Sequence, residues 1–86
     1  MATYKIESDY LEYPMILETE SNDEAYEMFT AYCDYQGIDE DDIEVKQNED
    51  GIYFAQAKQY DKNDECIARF TFDKVHKITV QIPEQQ

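Results

Sequence analysis

The chain changes its hydrophobic period twice, and each change marks a boundary between elements. In residues 3–8, Tyr4 and Ile6 alternate with Lys5 and Glu7, the period of two expected of a short half-buried strand. Residues 9–14 break the alternation. Pro14 has no N–H to donate and restrains Tyr13 to extended geometry, so this stretch reads as a connector or an edge. Residues 15–20 are apolar and then polar, which fits a second short strand. The period then lengthens: Ala25, Met28, Phe29, Tyr32 and Gln36 recur at helical spacing, with Cys33 beside them. Ser21 and Glu24 form a capping box ahead of this run, Asp23 adds charge that the helix dipole favours, and Gly37 supplies a left-handed stop. The spacing predicts a helix over residues 22–36.

From Ile43 the period returns to two, with Ile43, Val45 and Gln47 on one side and Glu44 and Lys46 on the other. Asn48 to Gly51 reads as a turn, residues 52–60 as a strand, and Asp61 to Asp64 as a second turn. Residues 65–72 set Cys66, Ala68, Phe70 and Phe72 against Ile67, Arg69 and Thr71. Asp73 and Lys74 read as a tight turn, and residues 75–82 as a last strand before a short tail. The expected architecture is α+β: a single two-layer domain over residues 1–86, with an antiparallel sheet of four to five strands and one helix packed on one face. The order is β-(β)-α-β-β-β-β, and the N-terminal strand joins the sheet. The small residues Ala55, Ala57 and Ala68 mark where helix and sheet approach closely.

Composition supports a folded chain. An apolar fraction of 42 % with eight Tyr and four Phe is too rich for disorder. No export signal and no apolar run near the ~20 residues of a membrane span is visible, which points to the cytoplasm. Cys33 and Cys66 are then expected as two buried, unbridged thiols.

Charge changes the picture most. From Glu7 to Glu44 the chain holds 14 carboxylates and no Lys, Arg or His. Residues 1–50 carry 16 acids against Lys5 and Lys46, while residues 51–86 carry five acids and five bases. The whole formal charge of −14 therefore sits in the first part of the chain. Charge runs ordinarily only solvate a surface, but ordinary surfaces interleave both signs, and this stretch does not. On a helical wheel Asp23, Glu27, Thr30 and Asp34 oppose the apolar stripe, and the densest run, Asp39, Glu40, Asp41, Asp42 and Glu44, follows the helix. Six of the eight tyrosines also fall in residues 1–50; Tyr4 and Tyr32 are expected in the core and Tyr10, Tyr13, Tyr26 and Tyr35 on the surface. Tyrosine is enriched at interface hot spots and stacks on cationic side chains.

Catalytic chemistry has little to stand on. The one histidine, His76, neighbours Lys77 in an expected strand, and Cys33 lies away from the helix N-terminus that would stabilise a thiolate. Asp61, Asn63 and Glu65 open like a calcium loop, but Cys66 and Phe72 then stand where such a loop requires Gly and a bidentate Glu. Neither a metal, a cofactor nor an enzyme is expected.

Duplex DNA carries about one negative charge per 1.7 Å of axis. The column Asp23, Glu27 and Asp34 spans roughly 16 Å at the helical rise and runs on into the acidic loop. A small acidic domain with a tyrosine-studded carboxylate surface and no catalytic constellation resembles phage-encoded DNA-mimic inhibitors, anti-CRISPR proteins among them. The resemblance covers composition and layout of the first half of the chain. It implies a cationic nucleic-acid-binding partner, such as a CRISPR effector, in the bacterial cytoplasm, with no direct contact to nucleic acid or membrane and a monomeric or homodimeric state. The expected contact residues are Asp23, Glu27, Asp34, Tyr35, Asp39, Glu40, Asp41, Asp42 and Glu44. An immunity or antitoxin protein sealing a cationic nuclease would look the same in sequence, and a carboxylate enzyme or divalent-metal binder is a third alternative.

Overall fold

The computed structural model of the chain describes residues 1–75. The expected last strand, beyond Val75, lies outside them, as do His76 and Lys77. Five strands and one helix follow in the order β1 (Ala2–Ser8), β2 (Met15–Thr19), α1 (Asn22–Tyr35), β3 (Ile43–Gln47), β4 (Tyr53–Tyr60) and β5 (Cys66–Lys74), with a short 3-10 turn at Glu40–Asp42 before β3. The sheet is antiparallel throughout, in the order β2-β1-β5-β4-β3, and α1 lies on one face. This is the expected two-layer α+β domain.

The N-terminal strand does more than join the sheet. β1 pairs with β2 on one side and with β5 on the other, so the two ends of the described chain meet at its centre. This overturns the turn expected at Asp73 and Lys74. Both residues stay in β5, where Asp73 faces Lys5 and Lys74 faces Tyr4 across the ladder. Two turn-forming residues are held extended because β1 offers them a row of backbone hydrogen bonds, a long-range partner that local propensity does not register.

The buried pleat can be followed across the strands by register. Ile6 stands opposite Phe72, Phe72 opposite Ala55, and Ala55 opposite Val45. On this face α1 buries Ala25, Phe29 and Cys33. Phe29 stacks on Phe72 with ring centroids 4.8 Å apart, and Phe72 stacks on Tyr4 at 4.5 Å. Ala55, Ala57 and Ala68 are all buried. The buried Tyr4 hydroxyl donates to Asn22 Oδ1 (2.9 Å) and accepts from Tyr53 N–H (3.1 Å), so the first turn of the helix is tied to β1 and β4 through one polar atom.

Both helix ends are made as the sequence indicates. Ser21 Oγ accepts from Glu24 N–H (3.1 Å). At the other end Gly37 N–H donates to Asp34 C=O and Ile38 N–H to Cys33 C=O, both at 2.9 Å, with Gly37 at φ +79°. These two bonds form a Schellman cap, and the buried Ile38 supplies its apolar contact.

Three side chains depart from expectation. Met28, placed in the apolar stripe, is exposed at its margin. Tyr26, expected on the surface, is half-buried because its ring stacks on Tyr53 at 4.8 Å. Cys66, expected inside, is exposed. Gln59 pairs with Ala68 but Tyr60 pairs with Cys66, so Ile67 is an extra residue in β5 and the alternation that carries Phe72, Phe70 and Ala68 inward stops before Cys66. Cys33 is buried, and both thiols are free.

Candidate functional site

All nine residues expected at the contact surface are exposed. Asp23, Glu27 and Asp34 follow the outer side of α1, because the apolar residues of the helix turn its other side to the sheet. The Schellman cap then reverses the chain, and Asp39 starts the 3-10 turn by accepting from Asp41 N–H through its side chain (3.2 Å). Glu40, Asp41 and Asp42 are the turn itself, which buries none of its residues. Tyr35 is 84 % exposed and, one residue on from Asp34, points about 100° away around the helix.

The acids do not form one plane. Asp34 and Glu40 share the rim of a groove between α1 and the start of β3. Asp41, Asp42 and Glu44 instead line a depression with Gln56 and Lys58, over the edge of the sheet. Glu44 must lie there, because Ile43 and Val45 stand opposite buried Ala57 and Ala55 and the residue between them faces the other way. The expected set therefore wraps around one end of the molecule rather than covering a single face.

Two of the nine are already engaged. Tyr53 donates its hydroxyl to Asp23 Oδ1, and this bond, ahead of desolvation, raises the Tyr53 pKa above its usual 10. Asp39 caps the 3-10 turn. None of the nine has a cationic partner within ion-pair distance among the described residues, where the one ion pair is Lys5 to Glu7 at 2.9 Å.

Part of the reason, which sequence reading did not resolve, is where the strand cations point: all but Lys74, which stands opposite buried Tyr4 on the helix side, lie on the other face of the sheet. By alternation and register, Lys5, Lys46, Lys58 and Arg69 all project from the face that α1 does not cover; Lys58 and Arg69 are direct neighbours there. The signal lay in the parity of these positions against the buried ones. That parity is local to each strand, but that it puts the cations of different strands on one shared face becomes readable only once the strand pairing is known. The surface tyrosines differ too. Tyr13 is free at 75 % exposure, whereas Tyr10 leans on Phe70 (5.9 Å) and donates to Gln59.

The calcium-like segment is a backbone device. One Asp61 oxygen accepts from Asn63 N–H (2.8 Å) and Glu65 N–H (3.0 Å), closing the β4–β5 turn. Among the described residues no three His, Cys, Asp or Glu side chains converge as a metal site. No helix among them is long and apolar enough to cross a membrane. Comparison of the chain with protein-family models, curated proteins and solved structures finds no match.

Proposed function

We propose that the chain is a non-enzymatic inhibitor, without cofactor, that blocks a cationic nucleic-acid-binding protein by presenting carboxylates where that protein accepts phosphates. The target class is a CRISPR effector or a similar host defence factor, met in the bacterial cytoplasm. One observation carries the reading. The helix and the 3-10 turn present exposed carboxylates with no cation within ion-pair distance among the described residues, while Lys5, Lys46, Lys58 and Arg69 project from the sheet face that α1 leaves open. A surface whose only task is solubility gains nothing from keeping its counter-charges apart. A surface that must enter a Lys- and Arg-lined groove does, because a cation at the contact would be repelled.

The test is competition. A candidate effector or nuclease is mixed with labelled DNA or guide RNA, and the chain is added at rising salt. Release of the nucleic acid, with an affinity that falls steeply between about 50 mM and about 200 mM salt, is the expected result. Turnover of a substrate by the chain alone would sink the proposal. So would partner binding indifferent to salt.

A further inference from the structure

Alongside α1 the inner face of β3 is left partly bare. The helix lies over β1, β2 and β4. Val45, although it points to the helix side, stays 38 % exposed. The result is a groove of about 290 Å³ between helix and edge strand, whose floor is Ala31, Ile38 and Ile43. Its polar rim is Asp34 and Glu40, with Thr30, whose hydroxyl is already bonded to Glu27 C=O (2.8 Å). The volume lies at the low end of ligand clefts, about 300–1,000 Å³, and suits a side chain better than a whole small molecule. A purely apolar occupant would leave the two carboxylates unused. A second copy of the chain would bring another charge of −14 against them. What matches both parts is a long cationic side chain, whose methylene stem lies on apolar surface while its head stays at the polar rim.

We infer that this groove takes one arginine side chain from a basic segment of the protein partner, the guanidinium reaching Asp34 and Glu40 and the stem resting on Ala31, Ile38 and Ile43. The inference rests on the acidic-surface reading and adds a fixed point to it. Charge alone attracts a cationic partner in any register, and a pocket with an apolar floor selects one. Arginine is favoured over lysine because its planar fork can meet two carboxylates at once.

The probe is an eight-residue peptide alternating arginine and glycine, titrated by NMR against the isotopically labelled chain, with the citrulline version as uncharged control. The expected result is that the methyl signals of Ala31, Ile38 and Ile43 shift with the arginine peptide and not with the control. Ala31→Trp, at an exposed helix position, should fill the groove and weaken binding about tenfold without lowering the melting temperature. If the peptide binds equally well to Ala31→Trp, with shifts spread over all exposed carboxylates, the pocket is refuted while the acidic surface stands. If the peptide does not bind at all at low salt, pocket and acidic-surface reading fall together.

Discussion

At the scale of single residues the two cysteines separate cleanly. Burial pushes the Cys33 thiol up to about 11, from an ordinary value of 9.0, whereas Cys66 sits exposed at the start of β5, ahead of the bulge at Ile67. At neutral pH a thiol reagent should modify Cys66 quickly and Cys33 only as the chain unfolds, with mass spectrometry of the digest giving the order. Fast labelling of Cys33 would mean that the helix opens readily. The same shift has a consequence for stability. The folded-state pKa lies above the unfolded one, so the contribution of Cys33 is complete below pH 9 and fades as pH rises towards 11. Tyr26, raised chiefly by desolvation, and Tyr53, raised chiefly by its bond to Asp23, act in the same sense at higher pH. Melting temperatures of Cys33→Val should therefore fall less between pH 9 and 11 than those of the parent. Tyr32 offers a different test. Its ring packs edge-on against Phe70, but its hydroxyl is buried with no hydrogen-bond partner among the described residues. Removing an unsatisfied polar atom while keeping the ring should be neutral or stabilising, so Tyr32→Phe should melt no lower than the parent.

At the scale of elements, what the sequence makes legible is what is local. Ser21, Glu24 and Gly37 mark the helix to within one residue of its observed end, since cap chemistry is written in adjacent positions. A Cβ at Gly37 would meet nothing closer than Gln59 Nε2 at 3.9 Å, so an Ala there suffers only the left-handed backbone. Gly37→Ala should lose about 1 kcal/mol by denaturant titration, and Gly37→Asn less. The strands β3 and β4 are legible for the same reason: alternation and the Asn48–Gly51 turn specify their hairpin. The pairing of β1 with β5 is not. It joins Lys5 to Asp73 and Ile6 to Phe72 across most of the chain, and no periodicity within either strand names its neighbour. The misread turn at Asp73 and Lys74 follows from that gap. The split of the acidic loop follows too, because whether Glu44 faces the helix or the open side depends on which pleat the core occupies.

At the scale of the whole molecule the excess of carboxylates decides how fold and partner respond to salt. Screening relieves repulsion among the helix and loop carboxylates, so the melting temperature should rise with ionic strength. It also shortens the reach of attraction to a cationic partner, with a Debye length of about 10 Å at 0.1 M, so the complex should weaken over the same range. The contact itself is best located by charge reversal. Glu40→Lys, Asp41→Lys and Asp42→Lys together should abolish binding and leave the fold intact, with Asp39 kept because its carboxylate caps the turn. Single alanine changes at these exposed sites should be mild, of order 0.2–1 kcal/mol each. Glu44→Lys alone should be milder than a change at Asp34, since Glu44 stands on the open side next to Lys46. Reversing Lys46 and Arg69 to Glu should leave binding unchanged, because they project from the sheet face that α1 leaves open; Lys58, which shares a depression with Asp41 and Asp42, is kept. The opposite pattern, with the loop reversal silent and changes at Tyr10, Tyr13 or the open strand face abolishing binding, would make the carboxylates mere solvation and remove the basis for mimicry.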